Sequence, residues 1–192
     1  MNQYIDIKTL EISGFGAALQ ALRLPFGKEC RSEVHNQHFS DVSPSPDDNQ
    51  QDPLEVFNKT SVFIDPKDLH LMSVLVKRGD EHAKVVRGIM VYAEINAPRY
   101  MWQEIDTYVV GMIPLSSEST MHIQGRGMSE EELLKMKNDL PEGTMQKRVR
   151  AYSYQCLRRI YYQRRNHRLP HWREFCQWIE SLPFAKELIT IQ

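Results

Sequence analysis

"MVYAEINAPRYMWQEIDTY", Met90 to Tyr108, changes its period halfway along. Ile89, Val91, Ala93 and Ile95 alternate with Met90, Tyr92 and Glu94, the two-residue repeat of a half-buried strand. Past Pro98 the spacing turns helical, because proline is tolerated at a helix start and cannot donate to a strand ladder. A strand running straight into a helix predicts a domain that mixes the two, and the segments on either side agree with it.

Upstream, Tyr4 to Glu11 alternates as a first strand, and Ser13 is placed to cap a short helix that stops near Pro25 and Gly27. Asp65 reads as an N-cap with Pro66 in the first turn. Leu69, Met72 and Val76 form the apolar stripe of that helix, and Gly79 ends it. Between them, residues 31–60 carry three prolines and no apolar period, the pattern of a long polar surface loop inserted in one domain of 192 residues.

Downstream, Ser129 and Glu132 have capping-box spacing before a helix that Pro141 terminates. Met145, Val149, Tyr152, Cys156 and Ile160 recur at three or four residues and predict one long helix from about 145 to 165. A last helix starts near Pro170 with Trp172, Phe175, Trp178 and Ile179 on its apolar side. The ordering gives a mixed α/β arrangement in which helices predominate.

The formal net charge of −1 excludes a molecule-wide polycation, so any electrostatic function must come from uneven placement. The unevenness is at the C-terminal end: from Gly143 to Arg173 stand nine Lys or Arg and no Asp or Glu. Arg158 and Arg159 precede Arg164 and Arg165 by six residues, so one helix would present parts of both pairs together. Guanidinium forks suit phosphate or carboxylate oxygens. The plainer reading is a solvated face whose arginines pair with acids elsewhere, such as those near Ser129.

Other constellations carry less. His167, His171 and Cys176 are close in sequence but have Pro170 among them and no further ligand, so no metal is expected. Cys30, His35 and His38 in the polar loop are equally thin. "GFG" at Gly14–Gly16 is too short for a dinucleotide fingerprint. Ser116, Ser117, Ser119 and Thr120 suggest a turn or an anion-contacting loop. Three widely spaced cysteines suit a reducing cytoplasm. No apolar run approaches a membrane span, and the N-terminus does not resemble a signal peptide.

In order, "AALQALRLPFG" (17–27), "DLHLMSVLVKRGDEH" (68–82), "MVYAEINAPRYMWQEIDTY" and "KNDLPEGTMQKRVRAYSYQCLRRIYYQRRNHRLPHWREF" (137–175) resemble segments of the flavin-dependent thymidylate synthases, the ThyX family. The resemblance spans nearly the whole chain outside the 31–60 insert. It implies an α+β, ThyX-like fold, helix-rich with a small mixed or antiparallel sheet, and a homotetramer whose sites form between subunits. Its ligand would be a pyrimidine deoxynucleotide monophosphate such as dUMP, and its cofactor FAD.

The family's Arg-His-Arg, seven residues, Ser signature falls here on Thr107, Tyr108, Val109 and Ser117. The serine is kept and the three basic residues, which in the family hold the flavin, are not. The family's flavin-contacting Asn-x-Arg falls on Tyr154, Gln155 and Cys156. Its arginine three before Leu-Pro has a basic counterpart in Lys137, and the arginine seven before a conserved aromatic corresponds to Arg165 before Trp172.

The expected nucleotide contacts are therefore Arg165, Lys137, Ser117, Ser119 and Arg164, with Tyr161 or Tyr108 available to stack on a base. Three functions are open: a nucleotide-binding protein with altered or lost catalysis; an active FAD-dependent methyl or hydroxymethyl transferase on dUMP, for which Arg87, Arg99 or Lys147–Arg150 would replace the missing triad; and a single-stranded nucleic-acid binder using a basic 147–168 helix.

Overall fold

A computed structural model describes residues 3–28, 32–35 and 61–191. The main sheet has four strands: β1 (Asp6–Ser13), β4 (Met90–Pro98), β5 (Met112–Ser117) and β6 (Met145–Ser153). They lie in the order β1-β4-β6-β5, and each neighbouring pair is antiparallel. β2 (Glu33–His35) and β3 (Ser61–Phe63) form a separate antiparallel pair. Eight α-helices occur among the described residues, so the α+β expectation holds. None of them is long and apolar enough to cross a membrane.

The strand expected from Met90 onward forms as read. Ile89, Val91, Ala93 and Ile95 are fully buried, while Met90, Tyr92 and Glu94 are half-buried. Helix α1 spans Phe15–Arg23 and α2 spans Pro66–Lys77; Asp65 caps α2 by accepting from the Lys67 backbone N–H at 2.8 Å. Helix α3, Arg99–Ile105, follows β4 directly. Helix α4 is Thr120–Ile123, and α5, Glu130–Asn138, carries the complete Ser129/Glu132 capping box.

Three expectations are corrected. Ser13 is the last residue of β1, and the residue that starts α1 is Gly14, whose left-handed backbone (φ 90°) turns strand into helix. Within the expected 31–60 loop, Glu33–His35 is a strand; residues 36–60, with His38, lie outside the described residues, as does Cys30.

The third correction is larger. Residues 145–153 are the inner strand β6, hydrogen-bonded to β4 and β5, and only Tyr154–Arg164 is helix α6. The segment does alternate, but Arg148 and Arg150 occupy positions facing the core side of the sheet, in line with Tyr152. Hydropathy therefore hid a strand period that sheet pairing enforces. With it goes the continuous 147–168 basic helix.

Helix α7 (Pro170–Glu180) ties β1 to β6: Phe175 and Trp178 pack edge-on against Tyr152, and the Trp178 indole N–H donates to Thr9 Oγ1 at 3.0 Å. Glu174 accepts from the backbone N–H groups of Tyr4 and Ile5 at 2.9 and 3.0 Å. Helix α8 (Ala185–Leu188) closes the chain against α2.

His171 of α7 is hydrogen-bonded to the Tyr100 hydroxyl at 2.9 Å and lies against the Tyr4 ring, with Nδ1 buried and unpartnered. Burial holds its pKa below the ordinary value of 6.5, opposed by the Glu174 charge. Neutral His171 is thus favoured by folding, so its stabilisation is full above about pH 6.5 and is lost as pH falls below it. Thermal melts of wild type should drop through that window, and His171→Asn should flatten the drop; equal slopes would contradict this.

Candidate functional site

Among the described residues a cationic cleft is lined by Arg99 and Gln103 of α3, Thr120 of α4, Lys137 of α5, and Gln146 and Arg148 of β6. Its volume is about 220 Å³. Three cations and no carboxylate line it. The strand-to-helix joint at Pro98 places α3, pairing with β4 places β6, and the capping box fixes the start of α5, whose last turn carries Lys137.

Each side chain is held. The Lys137 ammonium donates to Thr120 Oγ1. Arg99 faces Glu142 at 3.6 Å, and Gln103 donates to the same carboxylate at 2.9 Å. Gln146 Nε2 donates to the Glu118 carbonyl at 2.7 Å, and Gln146 Oε1 accepts from Arg148 Nε and Nη2 at 3.0 and 2.9 Å. The Arg148 guanidinium lies over the Trp102 ring, 4.7 Å from its centroid, and the Trp102 N–H is anchored on the Gln146 carbonyl at 2.8 Å.

Behind Arg148, one carboxylate serves two guanidiniums. Asp106 accepts from Arg148 Nη1 at 2.9 Å and from Arg150 Nη2 at 2.6 Å. Arg150 is 6% exposed, and its Nε has no partner.

Of the expected contacts, Lys137 lines the cleft. Ser117 pairs in register with Arg148, and Ser119 adjoins Thr120 and caps α4, accepting from the His122 N–H at 3.4 Å. Arg164 and Arg165 do not line it. Arg164 forms an ion pair with Glu104 at 2.8 Å, donates to the Tyr108 hydroxyl at 2.7 Å and covers the Trp172 ring at 4.5 Å. Trp172 donates to the same Glu104 at 3.0 Å. Arg165 lies 5.1 Å over Tyr162.

The arginine-rich segment is largely compensated inside the chain, as the plainer reading held, though by other acids: Arg159 by Asp80, Arg164 by Glu104, Arg148 and Arg150 by Asp106. The Arg159 guanidinium holds the Asp80 carboxyl below its ordinary pKa. Arg158 donates to the carbonyls of Ile189 and Ile191. Arg158, Arg159 and Arg164 leave α6 towards different partners rather than forming one face.

Tyr108 is buried, with its hydroxyl on Gln163 and Arg164, and the Tyr161 hydroxyl donates to Glu180, with a pKa pushed up to about 12 chiefly by burial. Burial likewise raises Cys156 to about 11 and Cys176 to about 12, so both thiols stay protonated and unreactive. No group of three metal-ligating side chains occurs among the described residues.

Sequence reasoning missed Gln103 and Gln146 and misplaced Arg148, since the signal was an alternation of arginine and glutamine along a strand. At the family's basic triad, Thr107 bonds the Glu104 carbonyl, Tyr108 turns inward and Val109 is exposed. That loop itself offers no cation to a flavin diphosphate.

No family model matches the sequence, and no curated protein sequence does. Solved structures do match in fold. The chain is similar to the thymidylate synthase ThyX of Helicobacter pylori, determined with FAD and dUMP, at TM-score 0.62 and 12% identity, over 97% of each chain. It is similar also to the UMP/dUMP methylase PolB of Streptomyces cacaoi, bound to 5-Br dUMP, at TM-score 0.56 and 11% identity, covering 97% of this chain and 94% of that one. The fold is ThyX-like.

Proposed function

We propose that this chain binds a pyrimidine deoxynucleotide monophosphate, with the phosphate in the cleft of Lys137, Thr120, Arg148 and Arg99, and with catalysis altered or lost. The observation that carries the reading is that cleft: three cations converge on one small hollow without an acid in its lining, on a fold whose solved neighbours hold dUMP or 5-Br dUMP. Ser117, paired in register with Arg148, and Ser119, next to Thr120, would reach the phosphate from beside that lining.

A volume of about 220 Å³ is below the ~300–1,000 Å³ of ordinary ligand pockets, enough for a phosphate and its immediate neighbourhood. The nucleoside then needs another surface. A second copy supplies it, in a homotetramer whose interface takes the exposed apolar run Val109, Val110, Ile113, Leu115, Met121 and Ile123. The same assembly is what would bring Arg165 to a neighbour's cleft, with Arg164 acting behind it through Glu104 and Tyr108. A protein of this kind acts in the cytoplasm, where nucleotides are available.

The loss of cations at Thr107–Val109 supports binding over flavin-dependent methyl transfer. Purified protein carrying no flavin absorbance, and acquiring none with added FAD, is the expected result.

Lys137→Ala should weaken dUMP binding about tenfold to a hundredfold, the worth of a charge-assisted hydrogen bond. Calorimetry on the assembled protein measures it. Unchanged affinity with an intact fold would remove Lys137, and with it the cleft, from the site.

A further inference from the structure

We propose that Asp106 is an internal stand-in for the ligand's phosphate: it engages Arg148 while no anion is present and yields that guanidinium to a terminal phosphate entering the cleft. This rests on the cleft being the phosphate site.

The geometry divides the two arginines by role. Arg150 is nearly buried and does not line the cleft, so its charge needs a permanent partner, and Asp106 sits 2.6 Å from it. Arg148 lines the cleft and shares the same carboxylate through its other oxygen at 2.9 Å. The side chain of Asp106 is 42% exposed.

When a phosphate takes Arg148, Asp106 keeps Arg150, and no buried charge is left alone. Arg148 does not depend on Asp106 for its aim. Trp102 supports the guanidinium plane, and Gln146, itself tied to Glu118, fixes two of its nitrogens. Of the five N–H donors of an arginine, Gln146 takes two and Asp106 a third, so release of Asp106 leaves three for a ligand.

The exchange also selects the ligand. Two guanidiniums against one carboxylate leave a single excess positive charge, to which Lys137 adds its own, while Arg99 is shared with Glu142 at 3.6 Å. A terminal phosphate, carrying close to two negative charges at neutral pH, outcompetes one carboxylate for Arg148; a phosphodiester with a single charge does so poorly. The cleft thus prefers monophosphate esters to nucleic-acid backbone.

The test is calorimetric titration of the full chain with inorganic phosphate, with Trp fluorescence as a second readout because the Trp102 ring lies under Arg148. Asp106→Asn removes the competitor and should tighten phosphate about two- to fivefold, the range of a half-exposed ion pair. If instead Asp106 only positions Arg148, the same variant binds more weakly or equally, and the proposal is overturned.

Should Asp106→Asn not fold, the double variant Asp106→Asn/Arg150→Met, which leaves no buried charge unpaired, decides against Arg150→Met alone: tighter phosphate binding supports the proposal, and equal or weaker binding overturns it. Wild type binding dUMP with Asp106→Asn unchanged would leave the nucleotide reading standing and remove this one. If wild type binds neither dUMP nor phosphate, the nucleotide reading falls. A gain of phosphate binding in Asp106→Asn would then still support the stand-in, and no gain would end it.

Discussion

Replacing Trp102 with alanine is expected to lower the unfolding free energy by about 3–5 kcal/mol, the cost of emptying a fully buried indole site. Trp102 has no exposed surface, and it sits in the middle of α3, the helix that follows β4 directly. The loss goes beyond volume. Its N–H holds the Gln146 carbonyl, and its ring supports Arg148 at 4.7 Å and Arg150 at 5.6 Å.

Trp102→Phe should keep a shelf for the arginines and lose only the hydrogen bond and some area, costing about 1–2 kcal/mol. Urea unfolding of the two variants separates these contributions. The folded fraction of Trp102→Phe should retain phosphate affinity near wild type. Equal stability of Trp102→Ala and wild type would contradict the placement of this side chain in the core.

The second large effect falls at the turn between β1 and α1. Gly14 has φ 90°, and a Cβ built on it would stand 1.9 Å from the Gly88 carbonyl oxygen. That oxygen is backbone, one residue before the buried Ile89 that leads into β4, so neither strand is free to move aside. Gly14→Ala therefore combines left-handed backbone strain with a main-chain clash. It is expected to cost about 3–5 kcal/mol, at the upper end of single-residue effects.

Gly127 is the control: its φ is 84° and nothing lies within 4 Å of an added Cβ. Gly127→Ala should cost only about 1–2 kcal/mol of backbone strain. Thermal or denaturant unfolding of both variants tests the comparison. A Gly14→Ala protein no less stable than Gly127→Ala would refute the close approach of the two turns.

The fold was legible where hydropathy and geometry agree. Val91, Ala93 and Ile95 alternate as apolar residues and are buried as such, and Asp65 and Ser129 cap helices through side-chain oxygens whose chemistry admits few alternatives. It was illegible where a polar residue takes an inward position. Arg148 and Arg150 face the core side of β6 because Trp102 and Asp106 receive them, and those partners lie more than forty residues away in sequence.

The same long range explains the site. Lys137 is singled out by the family resemblance, from its place three residues before Leu140-Pro141, whereas Gln103, Gln146 and Arg148 line the cleft beside it only because α3 and β6 meet. Arg164 illustrates the converse. Its composition suggested a ligand contact, and in the folded chain Glu104, Tyr108 and Trp172 surround it.

The most direct test compares dUMP with deoxyuridine, which lacks the phosphate, by calorimetry on the assembled wild-type protein. If the cationic cleft holds the phosphate, dUMP binds and deoxyuridine binds at least about a hundredfold more weakly, since several charge-assisted contacts are lost at once. Equal affinity for the two, or no affinity for dUMP, would contradict the account.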